Sequence, residues 1–421
     1  MVEQVEQRKT SGGLASSQAA SSQTASSQTA SPQALSPQSG TRLHAVNRAL
    51  ADLRRGEWVL LHTAEKSGGD PVDCAFVQAA ETLDDDGLAR LNAAGGEIRL
   101  AVTTRRAAAL GLPVPLDGRN KGIELTPPVA PTTPAVAVTA FKAAAAIREL
   151  ADPTLSAHPS LSALSAIPAE PGGLAEAAIE LAKLARLLPA TVLMRLPIAQ
   201  ARDLAAAEGI TEVEVPAVLD HRTLLANGLR RITEATVPLA DAEDARIVAF
   251  RPDDGGTDHL AILIGHPDPA RPVLTRLHSE CFTGDLLASL RCDCGEQLRG
   301  AIRAISAAGG GVVVYLAQEG RGIGLVNKLR AYALQDSGFD TVDANLQLGF
   351  DPDERVYQPA AEILRQLGYG KVRLMTNNPA KLAALARHGI EVVERVPHIF
   401  AANPHNKDYL ATKAEKSGHL F

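Results

Sequence analysis

Three cysteines, Cys281, Cys292 and Cys294, form a C-x10-C-x-C triplet, and the remaining cysteine, Cys74, lies far upstream. A structural zinc usually has four protein ligands in two pairs, whereas a catalytic zinc has three and keeps a fourth position open. A disulfide is disfavoured by the single residue between Cys292 and Cys294, and an iron–sulfur cluster generally needs four cysteines at other spacings. The triplet therefore predicts a zinc site. Three buried thiols, or a structural zinc completed by a distant histidine, are the alternatives.

The length and charge of the chain limit the classes of protein it can belong to. Its 421 residues exceed what one hydrophobic core usually organises, so we expect two globular units. The net charge of -6, from 42 basic and 48 acidic residues, provides no polybasic surface, so we expect no nucleic-acid and no membrane partner. A small polyanion can still bind in a local pocket.

The cellular location follows from two further observations. No apolar run reaches the length of a membrane span, and residues 1–10 carry charges where a secretory signal needs an apolar core. Because the four cysteines show no paired framework, the expected compartment is the cytoplasm.

We predict an α+β fold with two mixed α/β domains behind a tail. Residues 1–42 are rich in Ser, Gln and Ala and offer little apolar surface, so they are expected to be disordered. Residues 43–220 form the first domain and residues 221–421 the second. Periodicity predicts strands at 98–102, 135–138, 191–194, 247–250, 259–264, 273–277 and 312–317, and helices at 174–188, 296–308, 323–336, 359–367 and 379–388.

Two motifs of the second domain favour anion chemistry. Gln318-Glu-Gly-Arg-Gly-Ile-Gly324 separates a predicted strand from a helix carrying Lys328 and Arg330, an arrangement that suits phosphate binding, although glycines there can also serve turn geometry alone. Asp351-Pro-Asp-Glu-Arg355 concentrates charge, but by itself it is also typical of a solvated helix start.

Together these segments closely resemble the GTP cyclohydrolase II family over roughly residues 235–421. The matching motifs are His278-Ser-Glu-Cys281, Gly284-Asp285, Ser289-Leu-Arg-Cys-Asp-Cys-Gly295, Gln318-Glu-Gly-Arg-Gly-Ile-Gly-Leu325, Asn327-Lys-Leu-Arg-Ala-Tyr-Ala-Leu-Gln-Asp336, Gln347-Leu-Gly-Phe350, Asp353-Glu-Arg355 and Leu374-Met-Thr-Asn-Asn-Pro379. The family opens riboflavin biosynthesis by converting GTP to formate, pyrophosphate and 2,5-diamino-6-ribosylamino-4(3H)-pyrimidinone 5′-phosphate.

The resemblance implies roles for individual residues. Cys281, Cys292 and Cys294 would hold Zn²⁺, which activates water for attack on C8 of guanine, and Tyr332 would assist the opening of the ring. The residues implied to bind GTP are Arg276, Leu277, His278, Ser279, Glu280, Gln297, Glu319, Gly320, Arg321, Thr341, Thr376 and Lys381.

The resemblance also implies how pyrophosphate is released. Asp353 would accept a proton and Arg355 would attack the α-phosphate as a nucleophile, with stabilisation of charge by Arg355 as the plainer alternative. Mg²⁺ would accompany the triphosphate. A homodimer formed through the second domain is also implied.

The first domain is more faintly similar to 3,4-dihydroxy-2-butanone 4-phosphate synthase, through residues 173–184 and 108–113. It departs from that family at Leu174 and Ala175, where the synthase has His and Thr, and over residues 61–73, which lack its dense acidic segment. The sequence thus predicts a GTP cyclohydrolase II with a degenerate synthase domain. The alternatives are a bifunctional enzyme, a related enzyme acting on another nucleotide, and a regulatory nucleotide-binding protein, which the complete set of catalytic motifs disfavours.

Overall fold

The computed structural model describes residues 37–64, 73–114, 121–126, 141, 143–156, 161, 164–400 and 404. Within these ranges no helix is both long and apolar enough to cross a membrane.

The first domain is a seven-stranded sheet covered on both faces. Its elements are α1 (Pro37–Arg54), β1 (Val59–His62), β2 (Cys74–Ala79), α2 (Asp85–Ala93), β3 (Glu97–Thr103), α3 (Thr104–Ala109), β4 (Gly122–Thr126), α4 (Ala144–Ala151), β5 (Ser165–Pro168), α5 (Leu174–Leu184), β6 (Ala190–Arg195), α6 (Ile198–Glu208), β7 (Thr211–Glu214) and α7 (Val215–Leu219). The strand order is β5-β4-β3-β6-β2-β1-β7, and among the described strands only β1 and β7 pair in parallel.

Successive side chains along these strands point to opposite faces of the sheet and pack into two separate cores. Leu61 and Val77 face one core, while their neighbours Leu60 and Phe76 face the other. A strand buried on both sides reads as a continuous apolar run, as β1 and β2 do.

The second domain is another seven-stranded sheet, of order β14-β13-β11-β12-β10-β9-β8. Its elements are α8 (His221–Asn227), β8 (Arg230–Thr236), β9 (Arg246–Arg251), β10 (His259–Gly265), β11 (Val273–Ser279), α9 (Cys294–Ala307), β12 (Gly310–Leu316), α10 (Leu325–Asp336), α11 (Thr341–Gln347), α12 (Gln358–Gln366), β13 (Lys371–Met375), α13 (Pro379–Arg387) and β14 (Glu391–Val396), with a π-helical turn at Phe282–Leu286 and a 3₁₀ turn at Glu319–Gly322. In the first domain, a short 3₁₀ turn at Ala80–Thr82 follows β2. The strands β14, β13, β11 and β12 are parallel, so their carboxyl ends share one edge of the sheet.

The predicted strands and helices within the described ranges are confirmed, with small shifts at their ends. The strand predicted at 135–138 lies outside the described residues. The helix predicted at 174–188 ends at Leu184, because Arg186 adopts a left-handed backbone with φ of 61°.

The start of the first domain requires one correction. Residues 1–36 of the predicted tail lie outside the described residues, but residues 37–42 belong to α1 rather than to a disordered segment. The helix forms because Leu43, Val46, Leu50 and Leu53 recur at helical spacing and are all buried. The predicted boundary at residues 220 and 221 falls between α7 and α8.

Candidate active site

A pocket opens where β11, β12 and β13 end and the chain turns into the loops that follow them. This is the edge at which parallel α/β sheets generally bind ligands. The lining residues are Arg276, His278, Ser279, Glu280, Cys281, Cys292, Cys294, Gln297, Glu319, Gly320, Arg321, Ile323, Lys328, Ala331, Tyr332, Gln335, Thr341, Asn345, Arg355, Thr376, Asn377, Asn378 and Lys381.

The three cysteines of the triplet meet at one side of this pocket. Their sulfurs all lie within 4.8 Å of one another, and Cys281 Sγ and Cys292 Sγ are 3.7 Å apart. A Cβ at Gly284 would lie 2.8 Å from Cys292 Sγ and 3.0 Å from Cys281 Sγ, so the loop can wrap the sulfurs only with glycine there. Three converging thiols with no fourth cysteine form a donor set that fits a zinc with an open position.

Lys328 of α10 reaches the same cluster. Its Nζ donates to Cys281 Sγ at 3.1 Å and to Thr283 Oγ1 at 2.8 Å, and it pairs with the buried Glu319 at 2.9 Å. Burial alone would lower the pKa of Lys328, but the sulfur of Cys281 and the carboxylate of Glu319 hold it above its ordinary value. The pocket therefore contains a charged ammonium group against the cysteine cluster.

Tyr332 lies one helical turn beyond Lys328. The Arg291 guanidinium is 4.9 Å and the Lys328 ammonium 5.8 Å from the centre of its ring. Burial raises the pKa of Tyr332 to about 12, although the charge of Lys328 opposes this shift. The phenol consequently keeps its proton at neutral pH.

A second polar chain fixes His278 at the end of β11. Its Nε2 lies 3.0 Å from Asp285, which also accepts the Cys281 N–H and the Tyr315 hydroxyl, each at 3.0 Å. Its Nδ1 is buried with no hydrogen-bond partner among the described residues. Because burial lowers the pKa of His278 despite the neighbouring Asp285, the neutral ring presents Nδ1 as an acceptor.

Cations collect on another side of the pocket. The Arg355 guanidinium and the Lys381 ammonium lie 5.7 Å and 5.8 Å from the Tyr357 ring. Arg276 is buried nearby and donates to the Met375 carbonyl at 2.9 Å and to Gln297. Burial lowers the pKa of Arg276 to about 10, which leaves the group charged at neutral pH.

Asp353 holds Arg355 in place through two bonds. Arg355 donates from Nε to Oδ1 at 2.7 Å and from a terminal nitrogen to Oδ2 at 2.6 Å. Burial would raise the pKa of Asp353, but the hydrogen bonds and charge of Arg355 hold it below its usual value. The pair is thus ionised at neutral pH.

The structure brings nearly all residues predicted for the site to one pocket. Asp353 does not line the pocket and instead pairs with the pocket residue Arg355. The side chain of Leu277 packs in the core, and its carbonyl accepts a hydrogen bond from the pocket residue Lys381 at 2.9 Å. The other predicted residues line the pocket. The sequence prediction gave no role to the pocket residues Ile323, Ala331, Gln335, Asn345, Asn377 and Asn378, and it named Lys328 only as a cation that suits phosphate binding. The position of Lys328 beside Tyr332 follows from their spacing of four residues in one helix.

The first domain offers a different picture where the synthase motif would be. Leu174 and Ala175, which replace the His and Thr of that family, are buried in an apolar core at the start of α5. Most of the predicted acid-poor segment, residues 65–72, lies outside the described residues.

The chain is similar to known proteins over most of its length. The sequence profile described as GTP cyclohydrolase II matches residues 230–397. The GTP cyclohydrolase-2 of Azospirillum brasilense is 53% identical over 383 residues, which cover 90% of this chain and 94% of the relative. The riboflavin biosynthesis protein RibBA of Phocaeicola vulgatus is 36% identical and covers 90% of this chain and 98% of its own. The GTP cyclohydrolase-2 of Proteus mirabilis is 54% identical over 193 residues, 46% of this chain and 96% of that relative.

Proposed function

Since the chain belongs to the GTP cyclohydrolase II family, we propose that it hydrolyses GTP to formate, pyrophosphate and 2,5-diamino-6-ribosylamino-4(3H)-pyrimidinone 5′-phosphate, the first step of riboflavin biosynthesis. The observation that carries this proposal is the composition of the pocket. It joins a three-thiol metal cluster to a lining with five cationic side chains (Arg276, Arg321, Lys328, Arg355 and Lys381) and two carboxylates (Glu280 and Glu319). Such a surplus of positive charge suits a triphosphate.

Cys281, Cys292 and Cys294 would hold a zinc ion in this pocket. When bound, zinc supplies the Lewis acidity for the attack of water on C8 of guanine. Three thiolates make that site anionic, and the ammonium of Lys328 offsets part of this charge through its contact with Cys281.

Two side chains are suited to move protons during ring opening. Tyr332 keeps its phenolic proton and can donate it to a ring nitrogen as the carbon–nitrogen bond breaks. His278, whose tautomer Asp285 fixes, can accept a hydrogen bond from the base through Nδ1.

The phosphates would lie against the cations, with Mg²⁺ shielding their oxygens. Because Asp353 binds Arg355 in a bidentate pair that keeps the guanidinium protonated, we favour stabilisation of the transition-state charge over a nucleophilic role for Arg355. Asp353 then serves to orient Arg355.

We also propose that the protein is a homodimer in the cytoplasm. Residues 286–290 and α10 carry apolar side chains that are each more than half exposed: Leu286, Leu287, Leu290, Val326 and Leu329. Exposed apolar side chains in such number suit a protein interface. If these side chains form the dimer interface, the Leu286→Lys/Leu329→Lys variant should sediment as a monomer and the wild-type protein as a dimer.

Purified protein incubated with GTP and Mg²⁺ tests the main proposal through the release of both formate and pyrophosphate. Cys292→Ser should lose zinc by elemental analysis together with formate formation, whereas Cys74→Ser removes a buried thiol outside the site and should lose neither. Turnover of another nucleotide in place of GTP, or full zinc content in the variant with all three triplet cysteines replaced by Ser, would contradict the proposal.

A further inference from the structure

The first domain reaches the phosphate side of the pocket through Lys183, in the last turn of α5. Lys183 Nζ lies 2.6 Å from Glu354 Oε1, and the two side chains are only 13% and 12% exposed. Solvent and salt screen such a sheltered pair far less than a surface pair, so it fixes the relative positions of its partners.

Glu354 stands between Asp353 and Arg355 and is bound on three sides. Its Oε1 also accepts the Asp351 N–H at 2.9 Å, and its own N–H donates to the Arg321 carbonyl at 3.1 Å. Gly322 has φ of 96°, and a Cβ there would lie 2.8 Å from the Glu354 carbonyl oxygen. Glu354 therefore locks the turn at Glu319–Gly322 to the loop that carries Arg355, and Lys183 holds Glu354.

Other hydrogen bonds and ion pairs from the first domain reach the same stretch of chain, residues 320–355. They are Arg186 O with Asn327 at 3.1 Å, Glu81 and Asp152 with Arg330 at 3.2 Å and 3.0 Å, Thr103 with Gly349 O at 2.7 Å, Arg106 with Gln347 O at 3.0 Å, and Arg105 with Asp351 at 3.0 Å. This stretch also contains the pocket residues Arg321 and Tyr332, so the first domain supports the part of the pocket that this stretch lines.

We propose that Lys183 is a positioning residue for pyrophosphate release, acting through Glu354 to hold Arg355 and the Arg321 turn in productive register. The inference rests on the proposed function, because it assigns the first domain a part in that reaction. Small displacements of a catalytic group are costly, about 100-fold in rate for a 1 Å shift. Loss of the Lys183–Glu354 ion pair should therefore lower turnover more than it weakens GTP binding.

Kinetics of Lys183→Met test the inference against Lys121→Met, which removes an exposed pair with Glu176 in the same domain. We expect Lys183→Met to lower kcat for pyrophosphate release about tenfold or more, with zinc content unchanged and KM for GTP changed far less. Lys121→Met should match wild type, and Lys183→Arg should recover most of the loss. Lys183→Met/Glu354→Gln should be no slower than the worse single variant, because both changes break one interaction.

A measurement without GTP separates this inference from the proposed function. The amides of Asp351 and Glu354 donate hydrogen bonds that the Lys183–Glu354 pair helps to hold in place. Their hydrogen exchange should therefore be faster in Lys183→Met than in wild type and Lys121→Met. Unchanged exchange at these amides, or a kcat that falls only in proportion to the unfolded fraction, would overturn the positioning role. A wild-type protein inactive on GTP would instead overturn the proposed function and leave the exchange result standing.

Discussion

At the scale of single residues, the pocket separates two chemistries. Tyr332 lies by the cysteine cluster, whereas Arg355 lies with Lys381 at the Tyr357 ring. Ring opening needs a proton donor and phosphate cleavage needs charge stabilisation, so the proposed roles assign the two reactions to different side chains.

Substitution of each group should therefore affect a different product. We expect Tyr332→Phe to slow formate formation by about 100-fold or more, with a smaller effect on pyrophosphate, and Arg355→Ala to suppress pyrophosphate release. Rapid-quench measurement of both products in a single turnover distinguishes them. Tyr369→Phe, which alters a buried core tyrosine, serves as the control, and equal loss of both products in the two pocket variants would contradict this division.

His221 gives the fold a dependence on pH that is unrelated to catalysis. It is 1% exposed, and neither ring nitrogen has a hydrogen-bond partner among the described residues. Burial, and to a lesser extent Arg222, lowers the pKa of His221 from 6.5 to about 4. Between these values the unfolded chain binds a proton that the folded chain does not, so stability falls as pH drops from about 6.5 to about 4, by roughly 3 kcal/mol.

Replacement of this histidine should flatten that dependence. Thermal unfolding of His221→Leu at pH 7 and pH 4.5 should show a smaller difference in midpoint than wild type. His44→Leu, at an exposed position of α1, should keep the wild-type difference. An unchanged difference in His221→Leu would show that other groups control acid stability.

Sequence alone predicted those site residues that stand in contiguous motifs, such as Cys292 and Cys294. It named Lys328 only as a cation that suits phosphate binding and did not predict its contact with Cys281, which spans 47 positions of the chain. Only the fold brings α10 to the loop that carries the cysteine triplet. The resemblance likewise implied that Leu277 binds GTP, whereas side chains alternate along β11 and the Leu277 side chain lies in the core.

At the scale of elements, the loop between β11 and α9 depends on Gly284. We expect Gly284→Ala to reduce zinc content several-fold, because its methyl group would overlap the sulfurs of Cys281 and Cys292. Gly370→Ala, at a glycine with open space around it and no left-handed backbone, should retain zinc. Metal analysis of both proteins checks this, and full zinc in Gly284→Ala would show that the loop can widen.

The predicted strands and helices all carry an apolar pattern, but such a pattern was not always recognised, since the buried strands β1 and β2 were not predicted. Strand β8 is exposed along its entire length and, among the described strands, pairs only with β9, so its sequence carries no hydrophobic period. The strands β5 and β14 also lie at sheet edges and were missed for the same reason. Their positions follow from pairing with a neighbour, which local sequence does not encode.

At the scale of the whole molecule, the two domains share an apolar contact. Leu188 of the first packs with Ile323, Ala331 and Phe350 of the second in one buried cluster. In this chain the second domain therefore buries part of its apolar surface against the first.

Truncation of the chain tests whether the second domain depends on the first. Removal of residues 1–36 should leave GTP turnover nearly unchanged, because α1 and its buried face stay intact. Removal of residues 1–220 should lower solubility and the unfolding midpoint by exposing the shared apolar cluster. Chromatography measures the solubility, and thermal unfolding measures the midpoint. A fully soluble, fully active protein lacking residues 1–220 would show that the second domain does not depend on the first.

The first domain itself should not form 3,4-dihydroxy-2-butanone 4-phosphate from ribulose 5-phosphate. The side chains at positions 174 and 175 are apolar and buried, so they offer no acid or base to a sugar phosphate. Product formation by the full chain, abolished by substitution of Glu65 or Asp70, would instead show a bifunctional enzyme.

The contacts that converge on residues 320–355 have a consequence for biosynthesis of the chain. Translation runs from the amino terminus, and the first sheet is complete once β7 ends at Glu214, before β8 begins. Domains generally fold in this order as they leave the ribosome. The first domain is therefore already folded when residues 320–355 emerge. In a circular permutant starting at residue 221, residues 320–355 would have to fold before the first domain was available to contact them.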